Sequence, residues 1–201
     1  FFIIQTEQGE IRAKNVVNCA GVWSPVIGAM LGLSVPVSAR QGQILVSEQT
    51  FRVARRKVHE FGYMLAKFGT KNYKRPVSER VESNGVAFVF EPTAADNFLI
   101  GSSRRFAGED IRTDIDVMQA LAERAIRFFP IIREIKVIRA YSGLRPFTPD
   151  HLPIVSDTPV PGFFIAAGHE GDGIGLSAIT GKLMSNLIAG REQPVDISPL
   201  A

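Results

Sequence analysis

The sequence predicts an α+β fold, a mixed α/β order rather than a regular doubly wound sheet. Three observations carry that expectation. Short apolar runs bounded by Gly, Asn and Asp follow one another as antiparallel strands. The clearest case is "NGVAFVFEPTAADNFLIGSS", where Val86–Phe90 and Phe98–Gly101 flank a polar loop holding Asp96-Asn97. One amphipathic helix stands alone at 114–129. Near the end, an apolar strand, a glycine turn and a greasy helix follow in immediate succession, "GFFIAAGHEGDGIGLSAITGKLMSNLIAG".

In chain order, "FFIIQTEQGEIRAKNVVNCAG" reads as strand, turn at Gln8-Gly9, short strand, then a buried strand "NVVNCA". Ser24 as N-cap and Pro25 at the first helical position start a short helix that ends near Gly32. "VPVSARQGQILVSE" reads as two extended pieces around "RQG", and "HEFGYMLAKF" alternates as a strand. In the 114–129 helix, Val117, Leu121, Ala125 and Phe128 form one stripe, with Glu123, Arg124 and Arg127 off it, and Pro130 stops it. "EIKVIRAYSGLRPFTPDHLPIVSD" is a strand running into a proline-punctuated loop. The last helix presents Ile179, Leu183 and Leu187, reinforced by Met184 and Ile188, with Gly190 as its C-terminal cap. No internal repeat or low-complexity segment interrupts this order.

With 201 residues, 45% of them hydrophobic, the chain has core enough for one large domain or two packed ones. The formal charge of +3 is mild. Its basic groups, "RVARRK" at 52–57, "KNYKR" at 71–75 and Arg104-Arg105, are scattered, so they read as solvated faces and argue against nucleic acid as a partner. Cys19 is the only cysteine, which excludes an internal disulfide and a thiolate zinc site, fits a cytoplasmic setting, and reads as a small buried filler. His59, His151 and His169 lie far apart, so no metal site is expected. The stretch 15–39 is uncharged and long enough to span a bilayer, but Ser24-Pro25, Pro36 and its glycines fit strand, helix and strand better, so no membrane span is expected. The opening "FFIIQTEQGEIRAK" lacks a basic leader, a cleavage site and Met, and reads like mid-strand; a preceding N-terminal portion is expected.

The glycine turn admits three readings. Gly173, Gly175 and Ala178 satisfy G-x-G-x-x-A, but a dinucleotide unit needs a further parallel strand, for which "REQPVDISPLA" leaves no room. The glycines can serve a tight turn, with Gly181 packing the helix on the sheet. Or the helix N-terminus offers N–H groups and positive dipole to a ring that becomes anionic on reduction, as a flavin does.

Taken together, "VVNCAGVWS", "PVSARQGQILV", "YSGLRPFTPDHLPIVSD" and the glycine segment resemble the D-amino-acid oxidase superfamily of FAD-dependent oxidoreductases. Within it the likeness is to glycine and sarcosine oxidases and to the flavin subunits of proline- and hydroxyproline-type dehydrogenases. It spans the chain in order, and its specific patterns are GLRP-x-TPD-x-x-P and AAGH-x-G-x-GI-x-L. The resemblance implies a flavin-binding domain, residues 1–38 and 147–201, interleaved with a substrate domain, residues 39–146, built on an antiparallel sheet flanked by helices. Members open with a strand and a G-x-G-x-x-G turn that holds the FAD pyrophosphate. These 201 residues lack that segment, so a C-terminal portion with an incomplete FAD site, inactive alone, is expected.

The implied reaction moves a hydride from the amine-bearing carbon of a small amino or imino acid to the flavin. By the same resemblance Arg145 grips the substrate carboxylate, with Tyr141 and Tyr63 as pocket residues. Gly168, His169, Gly171, Asp172, Gly173 and Ile174 border the flavin, with Ala20 and Gly21 approaching it from "NCAG"; Asp172 is expected to turn away as the N-cap of the last helix. No side chain is singled out as an acid–base catalyst. Two alternatives stand beside this: oxidation of a polyol phosphate such as glycerol 3-phosphate, and a non-catalytic scaffold subunit. The partners implied are the small amino or imino acid, the missing N-terminal portion of the same enzyme and other subunits of a dehydrogenase complex.

Overall fold

In the computed structural model, which describes residues 1–68 and 75–201, the chain runs β1 (Phe2–Thr6), β2 (Gly9–Ala13), β3 (Val16–Asn18), α1 (Ser24–Ala29), β4 (Ser38–Ser47), β5 (Val58–His59), α2 (Phe61–Phe68) and α3 (Glu79–Ser83). It continues as β6 (Val89–Pro92), β7 (Phe98–Gly101), α4 (Ile115–Phe128), β8 (Val137–Phe147), β9 (Ile154–Asp157), β10 (Phe163–Ala167) and α5 (Gly173–Ile188). The architecture is α+β. Two compact units divide it: residues 1–39 with 145–201, and residues 40–144.

In the first unit, β10 is the centre of a three-stranded sheet, parallel to β3 and antiparallel to β9. Both faces of β10 are covered, which is why "FFIAA" is apolar throughout rather than alternating. Phe163, Ile165 and Ala167 pack with Val35 and Val37 on one face. Phe164 points the other way, into a cluster with Val155 and with Leu183 and Met184 of α5. At about 25 cal/mol per Å² of apolar area, each such side chain contributes roughly 2 kcal/mol, so the strand cannot slip by one residue without exchanging two cores.

The second unit holds an antiparallel sheet ordered β5-β6-β7-β4-β8, against which α4 lies. Val117, Ala120, Leu121 and Ala125 of α4 are fully buried, and Phe128 stacks on Phe88 with ring centroids 4.7 Å apart. Asp114 caps α4 by accepting the Asp116 N–H at 2.9 Å, and is itself held by Arg105 at 2.6 Å. The expected β6–β7 hairpin forms, with Phe90 opposite Ile100, but its first strand is Val89–Pro92 rather than Val86–Phe90.

Several expectations are corrected. "HEFGYMLAKF" is not a strand: only Val58–His59 pairs, and α2 begins at Phe61. Phe61, Tyr63 and Leu65 alternate, but the residues at 61, 64, 65 and 68 fall at i, i+3, i+4 and i+7, and the helical spacing wins over that length. The two extended pieces around "RQG" are one ten-residue strand, β4. Trp23 is the N-cap of α1, so Ser24 is its first residue. The first turn is Glu7-Gln8, with Gly9 already in β2. On α5, Leu183 and Met184 are buried because their face packs on Val155 of β9 and Phe164 of β10, whereas Ile179 and Ile188 are exposed. Gly190 follows the C-cap with φ +61°, the left-handed position a glycine terminates best.

The basic groups also divide. Residues 52–57 are largely solvated, and Lys71–Lys74 of "KNYKR" lie outside the described residues. Arg75 does not face solvent. With Arg124, expected off the apolar stripe, it clamps the buried carboxylate of Glu60, at 2.7 Å and 2.5 Å respectively. Arg104 lies 4.5 Å over the Tyr63 ring.

Removing one member of a buried ion group leaves uncompensated charge in a poorly solvated place. Glu60→Ala is therefore expected to lower the unfolding free energy by about 3 kcal/mol. Chemical denaturation of wild type and variant checks this; a difference under about 1 kcal/mol contradicts a clamped carboxylate.

Candidate functional site

The chain leaves β10 through a turn only glycine can begin. Gly168 has φ +80°, and a Cβ there would lie 2.5 Å from Cγ2 of Thr148. Thr148 is buried and stands just after β8, its hydroxyl donating to the Leu152 carbonyl at 2.7 Å. The two segments touch twice more. The Glu170 N–H donates to the Pro146 carbonyl at 3.1 Å, and Nδ1 of His151 lies 2.8 Å from Oε1 of Glu170. Both His151 (φ +64°) and Glu170 (φ +48°) are left-handed, a conformation that costs a non-glycine residue about 1 kcal/mol or more. Arg145, half-buried near the end of β8, directly precedes Pro146 and so sits beside this junction.

The turn then opens into α5. The first intrahelical bond runs from the Leu176 N–H to the Asp172 carbonyl at 3.0 Å. The N–H groups of Gly173, Ile174 and Gly175 precede it and have no acceptor within the helix. Asp172 does occupy the N-cap position, but its side chain makes no capping hydrogen bond. That corrects its expected role: with φ −106° and ψ 0° it is not in the extended conformation from which Asp caps. Gly171 and Asp172 are exposed, Ile174 is 96% exposed, and among the described residues nothing lies within 4 Å of a Cβ built at Gly171 or Gly175.

Beside the helix runs a groove of about 860 Å³ between α5 and the end of β3, lined by His169, Cys19 and Thr180 among others. Gly173, Ser177, Gly181, Ser185 and Ala189 recur every four residues along it, so α5 offers a ridge of minimal bulk. Gly181 was expected to pack the helix on the sheet. It faces this groove instead, with no atom of the described residues within 4 Å of a Cβ. Cys19, expected as buried filler, is exposed at the groove's rim, and partial desolvation pushes its thiol pKa up. His169 is half-buried and bonded by Nε2 to the Thr180 hydroxyl at 2.9 Å; burial pushes its pKa below the ordinary value of 6.5.

Ala20 and Gly21 form a turn that Asn18 organises. The buried Asn18 amide accepts the Ala20 N–H at 3.2 Å and donates to the Ser24 carbonyl at 2.9 Å, while Gly21 takes φ +58° with open space around it. Tyr63 and Tyr141 belong to the other unit. Tyr63 meets His59 edge-on at 5.0 Å, and Tyr141, 38% exposed, has Arg139 6.0 Å over its ring. The first unit therefore gathers Arg145, Gly168, His169, the glycine turn and the "NCAG" turn. Sequence reasoning missed Thr148, Asn18, His151 and Glu170. Asn18 lies in a quoted motif, but the His151–Glu170 pairing bridges 19 positions and has no local signal.

Residues 2–187 match the family described as FAD dependent oxidoreductase, DAO. The chain belongs to that family. FAD is the family's cofactor. Curated relatives include the glycine oxidase of Geobacillus kaustophilus, 28% identical over 99% of this chain and 47% of its own length. Another is hydrogen cyanide synthase subunit HcnC of Pseudomonas aeruginosa, 28% identical over 95% of this chain and 40% of its own. The crystal structure of the G. kaustophilus glycine oxidase superposes with a TM-score of 0.80 at 26% identity, over 99% of this chain and 48% of that one. The chain thus spans about half the length of these relatives. Among the described residues no helix is long and apolar enough to cross a membrane.

Gly168→Ala meets both a forbidden φ and a collision, so it is expected to cost about 2–4 kcal/mol of stability. Thr148→Ser deletes the colliding methyl and should return about half of that in the double variant, read in a double-mutant denaturation cycle. The depressed His169 pKa has the opposite sense to a paired histidine. Its contribution is fully present above pH 6.5 and is lost as pH falls below that toward the folded value. Melting temperatures between about pH 7.5 and 5 should fall, and fall less in His169→Gln.

Proposed function

We propose that the chain is the part of an FAD-dependent oxidoreductase that cradles the flavin ring and binds a small amino or imino acid of the glycine, sarcosine, proline or D-amino-acid type. One observation carries this reading: the strand end bearing Arg145 is hydrogen-bonded, through the Pro146 carbonyl, to the turn that opens α5. A fixed cation and a helix N-terminus are thereby held by one rigid junction.

The residues fit the cofactor. Gly21, Gly171 and Gly175 leave open space where a side chain would stand, so a flat ring can approach backbone. The first-turn N–H groups of α5, from Gly173, Ile174 and Gly175, would hold the electron-rich edge of the ring, aided by the helix dipole. Gly168, Gly171 and Asp172 shape that approach through backbone, and the neutral His169 imidazole lies in the adjoining groove. When bound, the flavin supplies the hydride acceptor for oxidation of the carbon–nitrogen bond. Arg145 is permanently charged and forked, and binds the substrate carboxylate, so that the amine-bearing carbon is oriented by its acid group. Tyr63 and Tyr141 serve the substrate side. Residues 1–38 and 147–201 form the flavin domain, and 39–146 the substrate domain. A second reading, a flavin-bearing subunit within a larger assembly, is favoured by the likeness to the cyanide synthase subunit.

The full-length protein is expected to carry flavin absorbance and to oxidise amino or imino acids in preference to polyol phosphates. Arg145→Lys should keep the flavin and raise KM about thirtyfold or more, because a point charge replaces a two-pronged contact. A KM unchanged with flavin bound overturns the carboxylate role. Size-exclusion of the native protein distinguishes the assembly reading.

A further inference from the structure

The contact between His151 and Glu170 does something the glycine turn does not need for its own shape. Each residue holds a left-handed conformation that glycine adopts freely, so a glycine at either place would relieve the backbone. What glycine cannot supply is the bond between Nδ1 and Oε1 at 2.8 Å. The two residues occupy the open positions in GLRP-x-TPD-x-x-P and AAGH-x-G-x-GI-x-L, one in each pattern. The carboxylate end is well shielded, with the Glu170 side chain 9% exposed against 45% for His151. The His151 ring is also set by Phe147, edge-on at 5.2 Å. Two residues, Gly171 and Asp172, separate Glu170 from the start of α5, so whatever fixes Glu170 also fixes the approach to the first turn of that helix.

We propose that His151 and Glu170 are positioning residues, a latch that fixes the glycine turn against the end of β8. By fixing the turn, the pairing sets where the α5 N-terminus meets an electron-rich ligand; this last step rests on the flavin reading above, while the fixing of the turn does not. Asp150, the neighbouring acid, is occupied by the Leu152 N–H at 3.0 Å, so it does not compete for His151.

The test uses the full-length protein and two readouts. In His151→Gly the backbone strain at 151 goes, so thermal stability is expected to hold or rise. Amide hydrogen exchange across residues 168–174 should nevertheless accelerate about fivefold or more, and the FAD dissociation constant should rise by a similar factor. Glu170→Gln retains an acceptor for Nδ1–H without the charge. It should show a smaller effect on both and serves as the decisive variant if the glycine variant fails to fold. The double variant should fall short of the sum of the two single effects. Unchanged exchange in the single variants, or effects that simply add, would overturn the latch. Absence of FAD binding by the wild-type protein would instead sink the flavin reading, and the exchange arm would still decide whether the turn is latched.

Discussion

Everything at the candidate site depends on the contact between two turns, one leaving β8 and one leaving β10. A strand buried on both faces must end abruptly, because its next side chain would have nowhere to go. Gly168 answers that constraint by having none, and the buried Thr148 fills the space left. Once the turns are pressed together, the backbone bond from Glu170 to Pro146 follows, and the direction in which α5 sets off is determined. Arg145 inherits its place from the same junction, one residue before the proline. The site is thus assembled from the ends of elements whose interiors are ordinary core.

The second unit solves a different problem. Its sheet and α4 make a conventional apolar core, yet they close over a carboxylate. Glu60 is accepted there because two guanidiniums meet it from separate parts of the chain, Arg75 and Arg124. Such a group adds little net stability over apolar residues of the same volume, but it penalises any arrangement in which one member is missing. It therefore ties the start of α2, the segment before α3 and the flank of α4 bearing Arg124 to a single geometry.

Much of this was legible in the sequence, and the failures have physical causes. The β6–β7 hairpin, α4, and the strand–turn–helix at the C-terminal end were readable because each is governed by local spacing. "HEFGYMLAKF" was misread because its apolar residues satisfy two periods at once, and ten residues are too few to separate them. Ile179 and Gly181 were misplaced because periodicity tells which residues share a helix face, not which face meets protein. The partners of Arg75, Arg124, His151 and Glu170 were invisible, since charge pairing over tens of residues leaves no mark on local pattern. Motifs located the glycine turn, but only coordinates show that Asp172 leaves the N-terminus of α5 uncapped by its side chain.

The outward turn of Cys19 has a practical side. It is the sole thiol in 201 residues, and it stands at the lip of the α5 groove rather than in the core. A fluorophore or spin probe attached there would sit at one defined place, with no second thiol in these 201 residues to confuse the signal. Because the thiol is held in its protonated form more firmly than a free cysteine, such attachment proceeds best on the alkaline side. The groove thus comes with its own reporter, through which whatever enters it can be watched directly.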